Sequence, residues 1–488
     1  MNALMSFIKF SPVFLIAGMV IAGYDILIAA GLAMFYAVLL CKLIMKKSFT
    51  GVMEIATEGA KESVFVLFIL LTAYAMVEVF MNSGVAAAVI RLFIGFGVTG
   101  RTVALMSFLL GCLLSLATGT SWGTYAAVLP PMLWLTDIVG GNVGLTFAAC
   151  IGGASFGDNF GLMSDTTILS SGIMGVKLSD RLRIQAPYAI ICIILASICF
   201  YLTSVSMGLG TEVKDASNVL ANIPSSSIEV LHEERPAVLT LLAQVESGVP
   251  VYMILPIFIV IIMAFNRIDV IICLLSGALS GIVLGVFAGT LTSLEQIFNL
   301  LYKGFSDAGS WTIVTIIFVC GFGGIMSRMG AFEFLSVFFV KISKKVRHLL
   351  FCNGVFCLLL NMTLCEETAQ VATATPIIKQ VLEDNVEGNE EDLYKLKIRN
   401  AIFSDAMGVM TASLIPWHTG YAYYIMMATA LYPLHEFGFA DVLLNFYCWI
   451  STIIILAGTF TGLDRFIPNF GIPKEPAVCL KKKQKKTV

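Results

Sequence analysis

The chain has 488 residues, of which 58% are hydrophobic and 13% charged, and its mean hydropathy is +0.91. Soluble domains carry about 25% charged residues, so too few charges remain here to coat a soluble surface. A net charge of −2 excludes the basic footprint of a nucleic-acid binder.

A membrane span needs about 20 mostly apolar residues. Such runs fall near 11–23, 25–45, 63–82, 102–136, 142–176 and 184–206. The first follows a single lysine, Lys9, with no small-residue cleavage site before Tyr24-Asp25, and is read as a retained span. A polar stretch from Met207 to Gly248 comes next. Further runs fall near 250–266, 268–289, 309–327, 349–382, 400–432 and 440–463, and the chain closes on a lysine-rich tail. The twelve cysteines are scattered through apolar runs without Cys-x-x-Cys or Cys/His metal spacing. They read as small buried hydrophobes. No enzyme and no cofactor are expected.

The two sets of runs match in order. Asp25-Ile26-Leu27-Ile28 corresponds to Asp269-Val270-Ile271-Ile272, Gly84 to Gly330, and Pro130 to Pro376. The run Asp158-Asn159-Phe160-Gly161-Leu162-Met163 corresponds to Asp405-Ala406-Met407-Gly408-Val409-Met410. The offset stays near about 246 residues throughout, which indicates internal duplication. The expected fold is an all-α polytopic membrane protein. It has two inverted repeats of about five transmembrane helices plus a re-entrant hairpin each, with discontinuous helices at mid-membrane. Residues 1–206 form the first repeat, 207–248 an extracytoplasmic polar connector, 249–465 the second repeat, and 466–488 a basic cytoplasmic tail. Whether 102–136 and 349–382 are re-entrant hairpins or full helix pairs is left open by the pattern.

Orientation follows from lysine and arginine. Lys42, Lys46 and Lys47, then Lys177, Arg181 and Arg183, then Lys341, Lys344, Lys345 and Arg347, and finally the tail lysines Lys474, Lys481, Lys482, Lys483, Lys485 and Lys486 are placed in the cytoplasm. The connector holds Lys214 and Arg235 against Glu212, Asp215, Glu229, Glu233, Glu234 and Glu246, and is placed outside. Arg91 and Arg101 fall on the wrong side of this scheme, which an interfacial amphipathic helix over 85–97 would accommodate. Glu78 is expected at the interface, and Arg328 near a span end, where it can snorkel.

The first hairpin turn, Thr118-Gly119-Thr120-Ser121-Trp122-Gly123-Thr124, combines chain-freeing glycines with hydroxyl ligands. Non-helical backbone at membrane depth survives only where protein or water satisfies it. Such tips coordinate Na+ or anionic groups in transporters, and a small-residue helix seam is the other reading. The run from Gly152 to Gly172 places Asp158 and Asp165 mid-segment, beside Asn159 and Thr166. A membrane-depth carboxylate costs about 2.5–3.5 kcal/mol by insertion scales, so two together call for a cation, a proton or water. In the second half the tip carries Cys365-Glu366-Glu367-Thr368, and the broken segment runs from Ser404-Asp405 to Pro416-Trp417-His418-Thr419-Gly420. Glu366 or Glu367 is a candidate proton carrier. His418 is either titratable near neutral pH or structural.

The runs Thr118–Thr124 and Gly153–Ser171, with Ser164-Asp165-Thr166-Thr167 and Leu414-Ile415-Pro416-Trp417, resemble the NhaC-type Na+/H+ antiporter family. That resemblance implies a fold of the ion transporter superfamily and exchange of Na+ for H+, or a relative that couples ions to organic acids or amino acids. The chain departs from the family pattern at Gly161-Leu162 and at Cys365-Glu366-Glu367-Thr368. The leading expectation is Na+/H+ antiport by alternating access in a cell (inner) membrane, with Na+ held by Asp158 and Asp165 and by hydroxyls of Thr118, Thr120, Ser121 and Thr166. The alternative is ion-coupled transport of an amino acid or a malate- or lactate-like carboxylate, with Trp122, Trp417, His418 and Tyr421 lining its site. The expected partners are small ions or a small organic substrate and the lipid bilayer; a homodimer is compatible with this reading.

Overall fold

The computed structural model describes residues 3–61, 64–161, 164–214, 216, 219, 225–266, 268–308, 311–331 and 333–481. Leu162 and Met163 of the duplicated motif, Asp215 of the connector, and Lys482, Lys483, Lys485 and Lys486 of the tail lie outside the described residues.

The first half contains α1 (Ala3–Ile21), α2 (Ile26–Met45), α3 (Phe49–Lys61), α4 (Val64–Ser83), α5 (Val85–Gly95), α6 (Val103–Thr118), α7 (Ser121–Val139), α8 (Val143–Phe160), α9 (Asp165–Met174) and α10 (Leu178–Ser206). The connector folds into α11 (Ser225–Glu234) and α12 (Pro236–Ser247). The second half contains α13 (Leu255–Phe265), α14 (Val270–Ala288), α15 (Leu294–Ala308), α16 (Trp311–Arg328), α17 (Glu333–Ile342), α18 (Val346–Leu364) and α19 (Glu367–Asn385). After a short strand β1 (Val386–Gly388) follow α20 (Glu390–Ala412), α21 (Thr419–Leu431), α22 (Phe439–Val442) and α23 (Phe446–Thr461), and then β2 (Val478–Leu480), antiparallel to β1.

The order of the first ten helices recurs from α13 onward, and so do its local causes. Asp25 and Asp269 cap α2 and α14 by accepting from the amides of Leu27 and Ile271, each at 2.8 Å. Gly84 (φ 103°) and Gly330 (φ 63°) stand at the breaks after α4 and α16, and α4 and α5 meet there at 66°. The two halves also exchange contacts: α3 packs on α16, and its counterpart α15 packs on α4.

Four single helices (α2, α10, α14 and α18) and the stretch Leu294–Arg328 are long and apolar enough to cross a membrane. Shorter apolar helices accompany them, among them Val103–Thr118 and Phe446–Thr461.

Several expectations change in three dimensions. The 85–97 segment has two faces: α5 buries Val85 to Ile90 and Phe93, while Arg91, Gly95 and Phe96 are exposed, and Arg91 Nη1 donates to the Val245 carbonyl at 2.7 Å. Part of the polar connector packs into the fold, since α12 lies on α4 and α5 with Val238, Leu241, Leu242 and Val245 buried. The C-terminal stretch is not all tail. Residues up to Leu480 strap the ends of α18, α19 and α20: Glu475 accepts from the Val346 amide at 2.9 Å, β2 pairs with β1, and Phe470 lies flat on Tyr188. In each case an apolar face or backbone partner elsewhere in the fold outweighed local polarity.

Candidate functional site

Two broken-helix systems meet at the centre. In the first, α6 stops at Gly119 (φ 68°) and α7 starts at Ser121, leaving a two-residue tip. A seam of small residues lets α8 run close against α6. A side-chain carbon on Gly153 or Gly157 would drive into the α6 backbone near Phe108 or Ser115. This close approach brings Asp158, on the last turn of α8, under the tip. Its Oδ2 accepts from the Ser121 amide and its Oδ1 from Ser164 Oγ, both at 3.0 Å. Ser164 in turn caps α9 and meets Thr166 Oγ1 at 3.0 Å. Thr118 closes the tip by bonding Thr124 Oγ1 at 2.7 Å, and Thr120 supplies the extended residue before α7.

In the second half the same role falls to Cys365, which takes the left-handed conformation (φ 58°) that Gly119 takes in the first. Glu366 caps α19 by accepting from the amides of Thr368 and Ala369, at 3.1 and 2.5 Å. Glu367, one residue on, is buried within electrostatic reach of Asp158, Glu366 and Asp405, with the Trp122 indole beside it. Its Oε1 accepts no hydrogen bond, and neither side-chain atom of nearby Gln370 has a partner.

Asp405, which the sequence offset sets against Asp158, is fully buried in α20. Its Oδ2 forms an ion pair with Arg181 and accepts from Thr167 Oγ1 at 2.8 Å and Asn159 Nδ2 at 3.2 Å. Arg181 Nη1 also donates to the Thr167 carbonyl at 2.9 Å and to Ser170 Oγ at 2.6 Å, while Gln185 donates to Asn159 Oδ1 at 2.7 Å. Arg181 was expected among the cytoplasmic cations. It is instead a fully buried pillar between the halves, because Asp405 offers a charge that water would otherwise have to solvate. Asp158, Glu367 and Asp405 are all buried, and the Arg181 guanidinium is paired with Asp405.

Two expected residues stand apart. Asp165 opens α9 with its side chain exposed, so it does not join Asp158. His418 is buried as the cap of α21: Nδ1 accepts from the Gly420 amide and Nε2 donates to Asn361 Oδ1, each at 3.0 Å. Asn361 spends its amide protons on α20, on the Gly408 carbonyl at 2.9 Å and Thr411 Oγ1 at 3.0 Å. Both imidazole nitrogens are thereby used by a neutral ring. Trp417 donates to the Met362 carbonyl at 2.7 Å, and Tyr421 stands near Phe439. Of the proposed organic-site residues, Trp122 alone reaches the centre, stacked 4.3 Å from Tyr423.

Glu78 is buried, with Arg235 Nη1 at 2.5 Å. Gly153-Ala154-Ser155-Phe156-Gly157 has the Gly-x-Ser-x-Gly form of a hydrolase nucleophile elbow, but it lies within continuous helix. There Ser155 Oγ donates to the Ile151 carbonyl at 2.9 Å, and the strained strand-to-helix turn that exposes such a serine is missing. Among the described residues, no group of three or more His, Cys, Asp or Glu is arranged to hold a metal ion.

A cavity of about 560 Å³ opens between α3, α16 and α19. Glu366 lies on its wall, with Glu54, Glu58, Lys47 and Arg328 around it. Glu366 thus borders the open cavity while Glu367 borders the closed centre. The sequence marked both glutamates but carried no signal to tell them apart, since their separation depends on which side of α19 faces which helix.

Apolar spans around a buried, charged meeting point of interrupted helices define a multi-pass membrane protein of the transporter class. The chain belongs to the Na+/H+ antiporter family, whose model matches residues 3–205 and 208–463. It is similar to the malate-2H(+)/Na(+)-lactate antiporter of Bacillus subtilis, at 23% identity over 76% of each chain. It is 25% identical to the Na(+)/H(+) antiporter NhaC of Alkalihalophilus pseudofirmus, over 57% of this chain and 59% of that one. With the arginine/ornithine antiporter ArcD of Halobacterium salinarum it shares 21% identity over 93% of this chain and 91% of that protein.

Proposed function

We propose that the protein exchanges Na+ for H+ by alternating access between two inverted halves, with both ions competing at Asp158 and Glu367. The observation that carries this reading is the charge of the centre. Of the three buried carboxylates Asp158, Glu367 and Asp405, only Asp405 forms an ion pair among the described residues, and each uncompensated buried charge costs several kcal/mol. Cations must therefore visit the site, and either a proton or Na+ meets the need. Asp158 supplies an anionic oxygen held by the Ser121 amide and Ser164, with the Thr166 hydroxyl adjoining. Thr118 and Thr120 shape the tip. Glu367, with an oxygen free of hydrogen bonds, takes the proton. Asp405 stays ionised against Arg181 and holds the halves in register. The reading keeps the cytoplasmic C-terminus and inner-membrane location expected from the lysine pattern.

The test is Na+-dependent proton movement in everted vesicles followed with a pH-sensitive dye. Na+ addition should dequench the dye in the wild type, and Asp158→Asn and Glu367→Gln should each abolish the response. Exchange that survives in Asp158→Asn overturns the role of that residue.

A second reading, exchange of a small organic ion, draws on the unpartnered Gln370 amide beside Glu367 and the Trp122–Tyr423 stack. The names of two relatives, which include malate, lactate, arginine and ornithine, point the same way. Gradient-dependent uptake of labelled carboxylates and amino acids separates the two readings: a saturable signal favours the second, and its absence the first.

A further inference from the structure

The open cavity has a counterpart related by the internal repeat, and the counterpart is filled. Gly59 of α3 presses on the Cys320 carbonyl and Gly324 in α16, and Gly304 of α15 presses on the Tyr74 carbonyl and Ala75 in α4. These two contacts are the same contact in the two halves. They map Gly324 and Arg328, which line the open cavity, onto Glu78 and Asn82. In the second location, however, the connector intrudes. Arg235, at the start of α12, is buried with Nη1 at 2.5 Å from Glu78 and 2.8 Å from Asp307. Gln244 of the same helix donates to the Asn82 carbonyl at 2.7 Å. Both Glu78 Oε2 and Arg235 Nε are buried without a hydrogen-bond partner.

We propose that Glu78 and Asp307 form the cation-recruiting mouth of a second vestibule, on the opposite face of the protein from the open one. In this state Arg235 occupies that mouth as a tethered cation. The inference rests on the reading of the protein as a two-sided carrier. When α12 withdraws, Arg235 leaves Glu78 and Asp307, and a small cation can take the place of its guanidinium. When it returns, its guanidinium displaces that cation and seals the face while the cavity beside Glu366 is open. The connector is thus a gate built into the link between the repeats.

The test reads accessibility, separately from transport. A cysteine placed at Asn82 reports on the plugged vestibule and one at Ser327 on the open cavity. Each is labelled with a membrane-impermeant maleimide in vesicles of both orientations, against the chain with only its twelve native cysteines as baseline. Ser327→Cys should label fast from one face. Asn82→Cys should label slowly, from the other face, and about tenfold or more faster once Arg235→Gln is added. Should Arg235→Gln alone fail to fold, Glu78→Gln with Arg235→Gln removes both charges and should give the same acceleration. Labelling of Asn82→Cys that neither change accelerates, or that comes from the same face as Ser327→Cys, overturns the gate. Loss of the gate result with intact Na+/H+ exchange leaves the transport reading standing, whereas missing exchange with the expected labelling removes that reading alone.

Discussion

Asp405 gathers Arg181, Thr167 and Asn159 onto a single oxygen, so the charge of Asp405 and that of Arg181 are each tolerated because of the other. Arg181→Gln leaves a buried carboxylate uncompensated and should cost about 3–5 kcal/mol. Arg181→Gln with Asp405→Asn should recover most of that loss. Thermal unfolding of the detergent-solubilised protein checks both, and a double variant as unstable as the single one would deny that charge pairing is the reason. His418 illustrates the opposite case, a titratable residue removed from proton chemistry by two good hydrogen bonds. Because asparagine is an equally good helix cap, His418→Asn should leave the pH profile of exchange in place. A profile displaced along the pH axis would return the ring to the proton path. From sequence, Asp165 stood beside Asp158 as a Na+ ligand, and His418 was either titratable or structural. Their differences arise from side-chain direction at helix starts, which residue type and spacing do not encode.

Among the elements, the interrupted helices were legible and the helices that scaffold them were not. Gly119 and the hydroxyls around it announce a break, as do Pro416 and the polar residues before it, and breaks fall at both places. Helices α3 and α15 went unread because they are short and half polar: Glu54 and Glu58 line a cavity while Val52, Ala56 and Gly59 are buried. An amphipathic stretch of that length reads as a loop flank until a partner is found for its apolar side. The α6–α8 seam makes a sharper claim about glycine. Gly157→Ala puts a carbon into the backbone of Ser115, and backbone yields less than a side chain. The loss should reach about 3 kcal/mol, the upper end for overpacking, and should abolish exchange by pushing Asp158 away from the tip. Unfolding curves and the vesicle assay together decide it; a stable, active variant would show that α8 can shift without cost.

For the whole molecule, the C-terminal strap binds the second half together. Arg399, in the helix that carries Asp405, pairs with Asp464 at 2.6 Å, donates to the Phe470 carbonyl at 2.9 Å and lies 3.6 Å over the Phe470 ring. Truncation after Thr461 removes these three contacts and leaves the buried guanidinium without its counter-charge, with Thr459 Oγ1 still accepting at 2.9 Å, which should cost about 3–5 kcal/mol. Truncation after Leu480 leaves them intact and should be neutral. Melting temperatures of the two truncations make the comparison, and equal values would remove the strap from the stability of the fold.

Sequence alone determined the membrane class and the positions of the helix breaks, and it pointed to a duplication. Each of these depends on local quantities: the apolar length needed to span lipid, the recurrence of residues at a near-constant offset, and the backbone freedom of glycine and proline. The pairing of charges was decided only by tertiary structure. Arg181 with Asp405, Arg235 with Glu78 and Arg399 with Asp464 join residues between 65 and 224 positions apart. A buried charge is stabilised by whichever opposite charge the fold brings within reach, and chain distance has no part in that choice.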